Sequence, residues 1–261
     1  MENNTVTLVK NIDDEIIINL YDEINAESTY TILEQLKLVE QLTLEILENN
    51  MKLKPEFQEE LPVVRIYNYC YGGSMIDTFA IANMILKLKK MGVYFINEAN
   101  AFVASGGFYI MMCCNLRTVT NEDFFECLYH QMQTQLPFGN GNVHVKNLKR
   151  WKDMLDRFKD IIVENSEVTY DILDKYEECD WHIDLKTARE LQIINDHVEK
   201  EIEPVEIKMS DMIKQLESSG YKVINDLKET KEKKKINKII NKNTCKSYTF
   251  MIRLLYKQRR W

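Results

Sequence analysis

Ser105 is followed directly by Gly106-Gly107, and a second glycine pair, Gly72-Gly73, lies upstream; these four are half of the chain's eight glycines. Paired glycines where a strand turns into a helix let bare backbone N–H groups face a reacting atom, which is how an oxyanion hole is built. A serine at such a turn opens a helix. The positive end of the helix dipole then lies beside its hydroxyl, and the N–H of Gly106 points at an anion developing on a substrate carbonyl. Gly73, at the start of another predicted helix, supplies a second donor position. The chemistry that these residue types suit is acyl transfer through a serine nucleophile.

A serine is a weak nucleophile unless a base takes its proton, and the base needs an orienting carboxylate. The histidines are His130, His144, His182 and His197. His130 ends a predicted strand that points to the same sheet edge, whereas His144 falls in a polar loop, so His130 is the better placed base. Asp180, followed by the apolar Trp181 and Ile183, is the candidate third member. On residue types alone the bland reading stays open: a serine followed by glycine is common, and a strand-end histidine is more often a satisfied structural residue. Val103 stands where the Gly-x-Ser-x-Gly elbow of α/β-hydrolases has its first glycine, and the chain order Ser, His, Asp also differs from theirs.

A metal site competes for the same residues. Cys127-x-x-His130 and Cys179-x-x-His182 form two Cys-x-x-His pairs, a ligand set that suits structural zinc in a binding protein. Such a site would consume the proposed base. Cys113 and Cys114, next to Ile110, Met111 and Met112, read as core packing.

These residues need a scaffold, and the pattern supplies one. Residues 15–20 and 63–69 read as strands; 31–47 and 75–91 carry apolar residues at helical intervals. Strand, turn and helix repeat through Val93 to Ile96, Ala99 to Ala104, and Ser105 to Cys114. A further strand spans Phe124 to His130, and a loop with Pro137 and Gly139-Asn140-Gly141 follows. Val145, Leu148, Trp151, Leu155, Phe158 and Ile162 then mark a long amphipathic helix. Asp180 to Glu190 reads as a helix start feeding a last strand, Leu191 to Asn195. Repeated βα units with short turns predict an α/β domain with a mostly parallel sheet covered by helices.

With 261 residues, 45% of them hydrophobic, the chain buries a full core in one domain with an appendage. The expected boundary lies near Lys200, giving a domain over 1–200 and a charged, mostly helical C-terminal extension over 201–261. No apolar run suggests a membrane span, the N-terminus is polar and acidic, and the cysteines follow no disulfide-scaffold spacing, so the expectation is a cytoplasmic protein with reduced thiols. The net charge of −7 conceals a division: Lys222 to Trp261 hold 13 Lys/Arg against 3 Asp/Glu, a net of +10. The Lys231 to Lys235 run reads as a solvated helix face, or as a contact to an acidic surface or to nucleic acid with Tyr248, Phe250, Tyr256 and Trp261 as anchors.

Four stretches together resemble one family. Ile66-Tyr67-Asn68-Tyr69-Cys70-Tyr71-Gly72-Gly73-Ser74 is similar to the Ile-Asn-Ser-Pro-Gly-Gly segment of the Clp protease proteolytic subunit, ClpP. Phe102-Val103-Ala104-Ser105-Gly106-Gly107-Phe108 resembles that family's Ala-Ala-Ser-Met-Gly-Ala-Phe, and Leu128-Tyr129-His130-Gln131 its Met-Ile-His-Gln. Asp180-Trp181-His182-Ile183-Asp184-Leu185 resembles Asp-x-Phe-x-Ser-Ala, with Ala188, Glu190 and Ile194 matching beyond it. The intervals, 25 residues from Ser105 to His130 and 50 from His130 to Asp180, are close to the family's own.

The resemblance covers roughly residues 14–198. It implies a ClpP/crotonase-like fold of repeated ββα units and a serine-type endopeptidase working inside a ring oligomer, without a cofactor. Ser105 would be the nucleophile, His130 the general base, Asp180 its orienter, and the N–H groups of Gly73 and Gly106 the oxyanion hole. The Trp151 helix would be the handle through which two stacked rings of this chain meet, and the Pro137 to Val143 loop the strand to which an extended peptide adds. An unfolded protein would be the substrate and an AAA+ unfoldase a partner. Tyr71 replaces the family's proline, Gly106 its methionine and Met132 its second proline, as in a divergent, phage-encoded relative or a catalytically idle ring subunit that serves as a scaffold.

Overall fold

The computed structural model describes residues 8–11, 13–130, 141–176 and 179–197. Its strands are β1 (Val9–Lys10), β2 (Ile16–Ile24), β3 (Val63–Gly73), β4 (Tyr94–Ala99), β5 (Phe102–Ala104), β6 (Leu116–Val119), β7 (Glu126–Tyr129) and β8 (Trp181–Asp184). The helices are α1 (Ala26–Asn50), α2 (Met75–Lys90), α3 (Gly106–Met112), α4 (Gly141–Glu164), α5 (Tyr170–Lys175) and α6 (Leu185–Glu190).

One sheet has the order β1-β2-β3-β4-β6, parallel from β2 onward with β1 antiparallel at its edge. A second, three-stranded sheet has the order β5-β7-β8, β5 parallel to β7 and β7 antiparallel to β8. The chain is therefore a mixed α/β protein. Along β3 the side chains alternate: Val64, Ile66, Asn68 and Cys70 are buried while Arg65, Tyr67 and Tyr69 are partly exposed, the period of two that a pleated strand imposes. Across the open face Arg65 holds Glu15 through Nε at 2.7 Å and Glu98 through a terminal nitrogen at 2.9 Å, an ionic tie from the start of β2 to β4.

The second sheet exists because the chain turns at Asn100-Ala101. Ala101 has φ 62, so the predicted strand from Ala99 to Ala104 is divided, β4 ending in the first sheet and β5 starting the second. The glycine pair Gly72-Gly73 does not break β3: these residues still pair with Glu23 and Ile24 of β2 after a register shift between Tyr21 and Glu23.

Two expectations near the C-terminal end are corrected. Trp181 to Asp184 form a strand, with Trp181 and Ile183 buried and the residues between exposed, and the helix starts only after it, capped by the Asp184 carboxylate on the Thr187 N–H at 2.7 Å. Leu191 to Asn195 form no strand; α6 closes into a turn in which Gln192 has φ 52. Gly141 to Val143 and His144 belong to α4 rather than to a loop. The rest of the predicted loop, the boundary near residue 200 and the basic extension over 201–261 lie outside the described residues. Among the described residues no helix is long and apolar enough to cross a membrane.

Candidate active site

Ser105 joins β5 to α3. It stands at the N-cap position with φ 52 and ψ −120, a positive φ that a residue with a Cβ adopts at a cost of about 1–3 kcal/mol. Its backbone is pinned on both sides: its N–H donates to the Leu128 carbonyl at 3.1 Å, and its carbonyl accepts the N–H of Tyr109 at 3.1 Å. The Ser105 side chain makes no capping hydrogen bond, although Asn25, Ser74, Thr169 and Asp184 all cap their helices in the usual way. The turn thus holds a hydroxyl at a helix start without consuming it.

The glycines around it are there for close approach. A Cβ on Gly72, itself at φ +105, would stand 2.5 Å from the Ser105 Cβ and 3.0 Å from the Gly106 nitrogen. A Cβ on Gly106 would meet Thr78 Oγ1 at 2.5 Å and Ile24 Cδ1 at 2.9 Å, and one on Gly107 the Cys70 carbonyl oxygen at 2.6 Å. A side chain at Gly106 would press only on side-chain atoms of Thr78 and Ile24, whereas one at Gly107 would run into the backbone of Cys70. Gly73 pairs with Ile24, whose carbonyl takes the N–H of Ser74 at 2.7 Å, so Ile24 is bonded to the residues flanking Gly73. In a parallel ladder the residue so bypassed turns its own N–H away from that neighbour. The Gly73 N–H accordingly faces away from β2.

The second sheet carries the other two candidates. Ala104 pairs with Leu128 and Tyr129 with Trp181. Ser105 follows the last residue of β5, His130 the last of β7, and Asp180 precedes the first of the antiparallel β8, so all three flank the same end of the second sheet. His130 is half-buried and Asp180 exposed. The Tyr109 hydroxyl donates to the His130 carbonyl at 3.3 Å. His182 and His197 are elsewhere: His182 Nδ1 contacts the Glu126 carboxylate at 2.5 Å, and His197 Nδ1 lies 3.7 Å from Asp196.

The zinc alternative fails on the strand alternation. Cys127 pairs with Ile183, both fully buried on the core face, whereas His182 pairs with Leu128 on the other face and is exposed. The two Cys-x-x-His pairs therefore do not converge. Among the described residues no group of three or more His, Cys, Asp or Glu side chains could hold a metal ion.

Two contributors carry no sequence signal of their own. Tyr109 reads as one more apolar residue of a core helix. Arg117, 1% exposed on β6, donates to the carbonyls of Cys114, Asn165, Gln192 and Ile193 at 2.6 to 2.9 Å, tying the segment after α6 beneath the first sheet. Burial lowers its pKa to about 10, which leaves it charged at neutral pH. No family model and no curated protein matches the chain.

Proposed function

We propose that this chain is a serine-type endopeptidase of the ClpP-like kind, acting on extended or unfolded polypeptide inside a ring of its own copies. The observation that carries the reading is Ser105: a strained residue at a strand-to-helix turn, hydroxyl outside the cap, at the same sheet end as His130 and Asp180. In the proposed reaction the Ser105 oxygen attacks a peptide carbonyl carbon while His130 takes the hydroxyl proton. The oxyanion faces the N–H groups of Gly73 and Gly106. His130 returns the proton to the leaving amine, and the C–N bond breaks. Water, deprotonated by His130, then cleaves the acyl ester and restores the serine. Asp180 holds the imidazole in its productive tautomer and balances the charge that His130 gains. The sequence of steps calls on no cofactor.

The assembly and the supply of substrate rest on the resemblance. It gives α4 the role of contact between rings; Val145 and Leu148 on that helix are 66% and 49% exposed, as an interface helix would leave them in a single chain. An AAA+ unfoldase is the corresponding proposed partner. Hydrolysis of a fluorogenic peptide library by the assembled chain tests the reading. Ser105→Ala and Asp180→Asn are expected to lower the rate by about a thousand-fold or more. Undiminished hydrolysis by Ser105→Ala would remove it, and an inert, correctly assembled parent would favour the idle ring subunit.

A further inference from the structure

We infer that Tyr109 is a positioning residue for the general base, strapping Ser105 and His130 into one rigid unit; the inference rests on the triad reading above. Tyr109 is bonded to both partners. Its backbone N–H donates to the Ser105 carbonyl at 3.1 Å, and its side-chain hydroxyl donates to the His130 carbonyl at 3.3 Å, at the point where β7 ends. The ring between those two bonds has little freedom: it is stacked on Phe158 of α4 with centroids 4.2 Å apart and meets Tyr129 edge-on at 6.2 Å. Phe158 is itself stacked on Phe79 of α2 at 4.3 Å. Tyr109 is 2% exposed. Burial keeps its hydroxyl protonated through the working pH range, so it acts as a donor.

A phenylalanine would fill the same space, and a hydroxyl inside an aromatic stack is costly without a partner. What the hydroxyl adds is a fixed end for the strand that delivers the base. The distance between an attacking oxygen and its base governs the rate steeply, so loosening that end slows proton transfer while substrate binding stays the same.

The test is Tyr109→Phe, which removes one oxygen and keeps the stack, measured in the full-length assembled protein. With a fluorophosphonate probe the rate of serine labelling is expected to fall about three- to ten-fold. Peptide kcat falls likewise, KM is unchanged, and the melting temperature stays within a few degrees. In a His130→Ala background, adding Tyr109→Phe produces no further fall in residual labelling. An unchanged rate, or an equal fall in both backgrounds, would overturn the inference while leaving the triad standing, because the hydroxyl would then act on α3 alone or on nothing. No labelling of the assembled parent overturns the triad reading and this inference with it.

Discussion

Gly72 and Ser105 are packed so closely that a Cβ built on the glycine would stand 2.5 Å from the serine Cβ and 2.9 Å from its hydroxyl oxygen. The two turns that the sequence brings forward separately, one ending β3 and one opening α3, are therefore a single contact. Gly72 also has φ +105, so any side chain there is strained as well as crowded. Gly72→Ala is expected to destabilise the protein by about 2–4 kcal/mol, lowering the melting temperature by roughly 5–15 °C, with loss of the proposed peptidase activity. A melting curve overlapping the parent's would contradict the packing.

Ser105 has φ 52, and the strain serves no capping bond. Ser105→Gly relieves it, at the smaller cost of a more flexible unfolded chain. The variant is expected to melt about 2–4 °C higher than the parent while hydrolysing nothing, the exchange of stability for activity expected at a strained functional residue. A lower melting temperature would mean that the turn is not strained.

Much of this was legible because it is local. Alternation along Val63 to Cys70, the apolar spacing of α1 and α2, and the glycine pairs each declare themselves within a few residues. What escaped depends on distant partners. Residues 181–184 are too short to show a period of two, so the sequence hides the strand that precedes α6. Residues 116–119 carry an arginine mid-strand, and only carbonyls up to 76 residues away make that position tolerable in a core. Tyr109 gained its meaning only when β7 brought the His130 carbonyl to its hydroxyl. The candidate serine, histidine and aspartate were legible as types and intervals; their alignment at one sheet end needed the register of β5, β7 and β8.

The Arg65 guanidinium, hydrogen-bonded to Glu15, holds that carboxyl below its usual value of 4.5. A depressed carboxylate stabilises the fold in full above the ordinary carboxylate range, and that contribution is lost as pH falls through the lower folded value. Glu15→Gln should therefore melt roughly 2–6 °C below the parent at neutral pH, with the gap closing as pH falls below the ordinary carboxylate range. Parallel acid limbs for the two proteins would contradict the tie across β2, β3 and β4.

Cys70, Cys113, Cys114 and Cys127 are buried, and burial pushes the Cys113 and Cys114 thiols up to about 12. Cys179 is exposed. In the native protein N-ethylmaleimide should modify Cys179 and spare those four, which react only after denaturation, as peptide mass mapping would show. Rapid native modification of Cys127 would contradict the core face assigned to β7.

In the proposed reaction Ser105 is an activated nucleophile. Incubating the assembled protein with a fluorophosphonate probe and mapping the adduct by mass spectrometry tests it most directly. One adduct per chain is expected, on Ser105, absent in Ser105→Ala and slowed by about a thousand-fold or more in His130→Ala. Equal labelling of all three proteins, or no labelling of the correctly assembled parent, would contradict it.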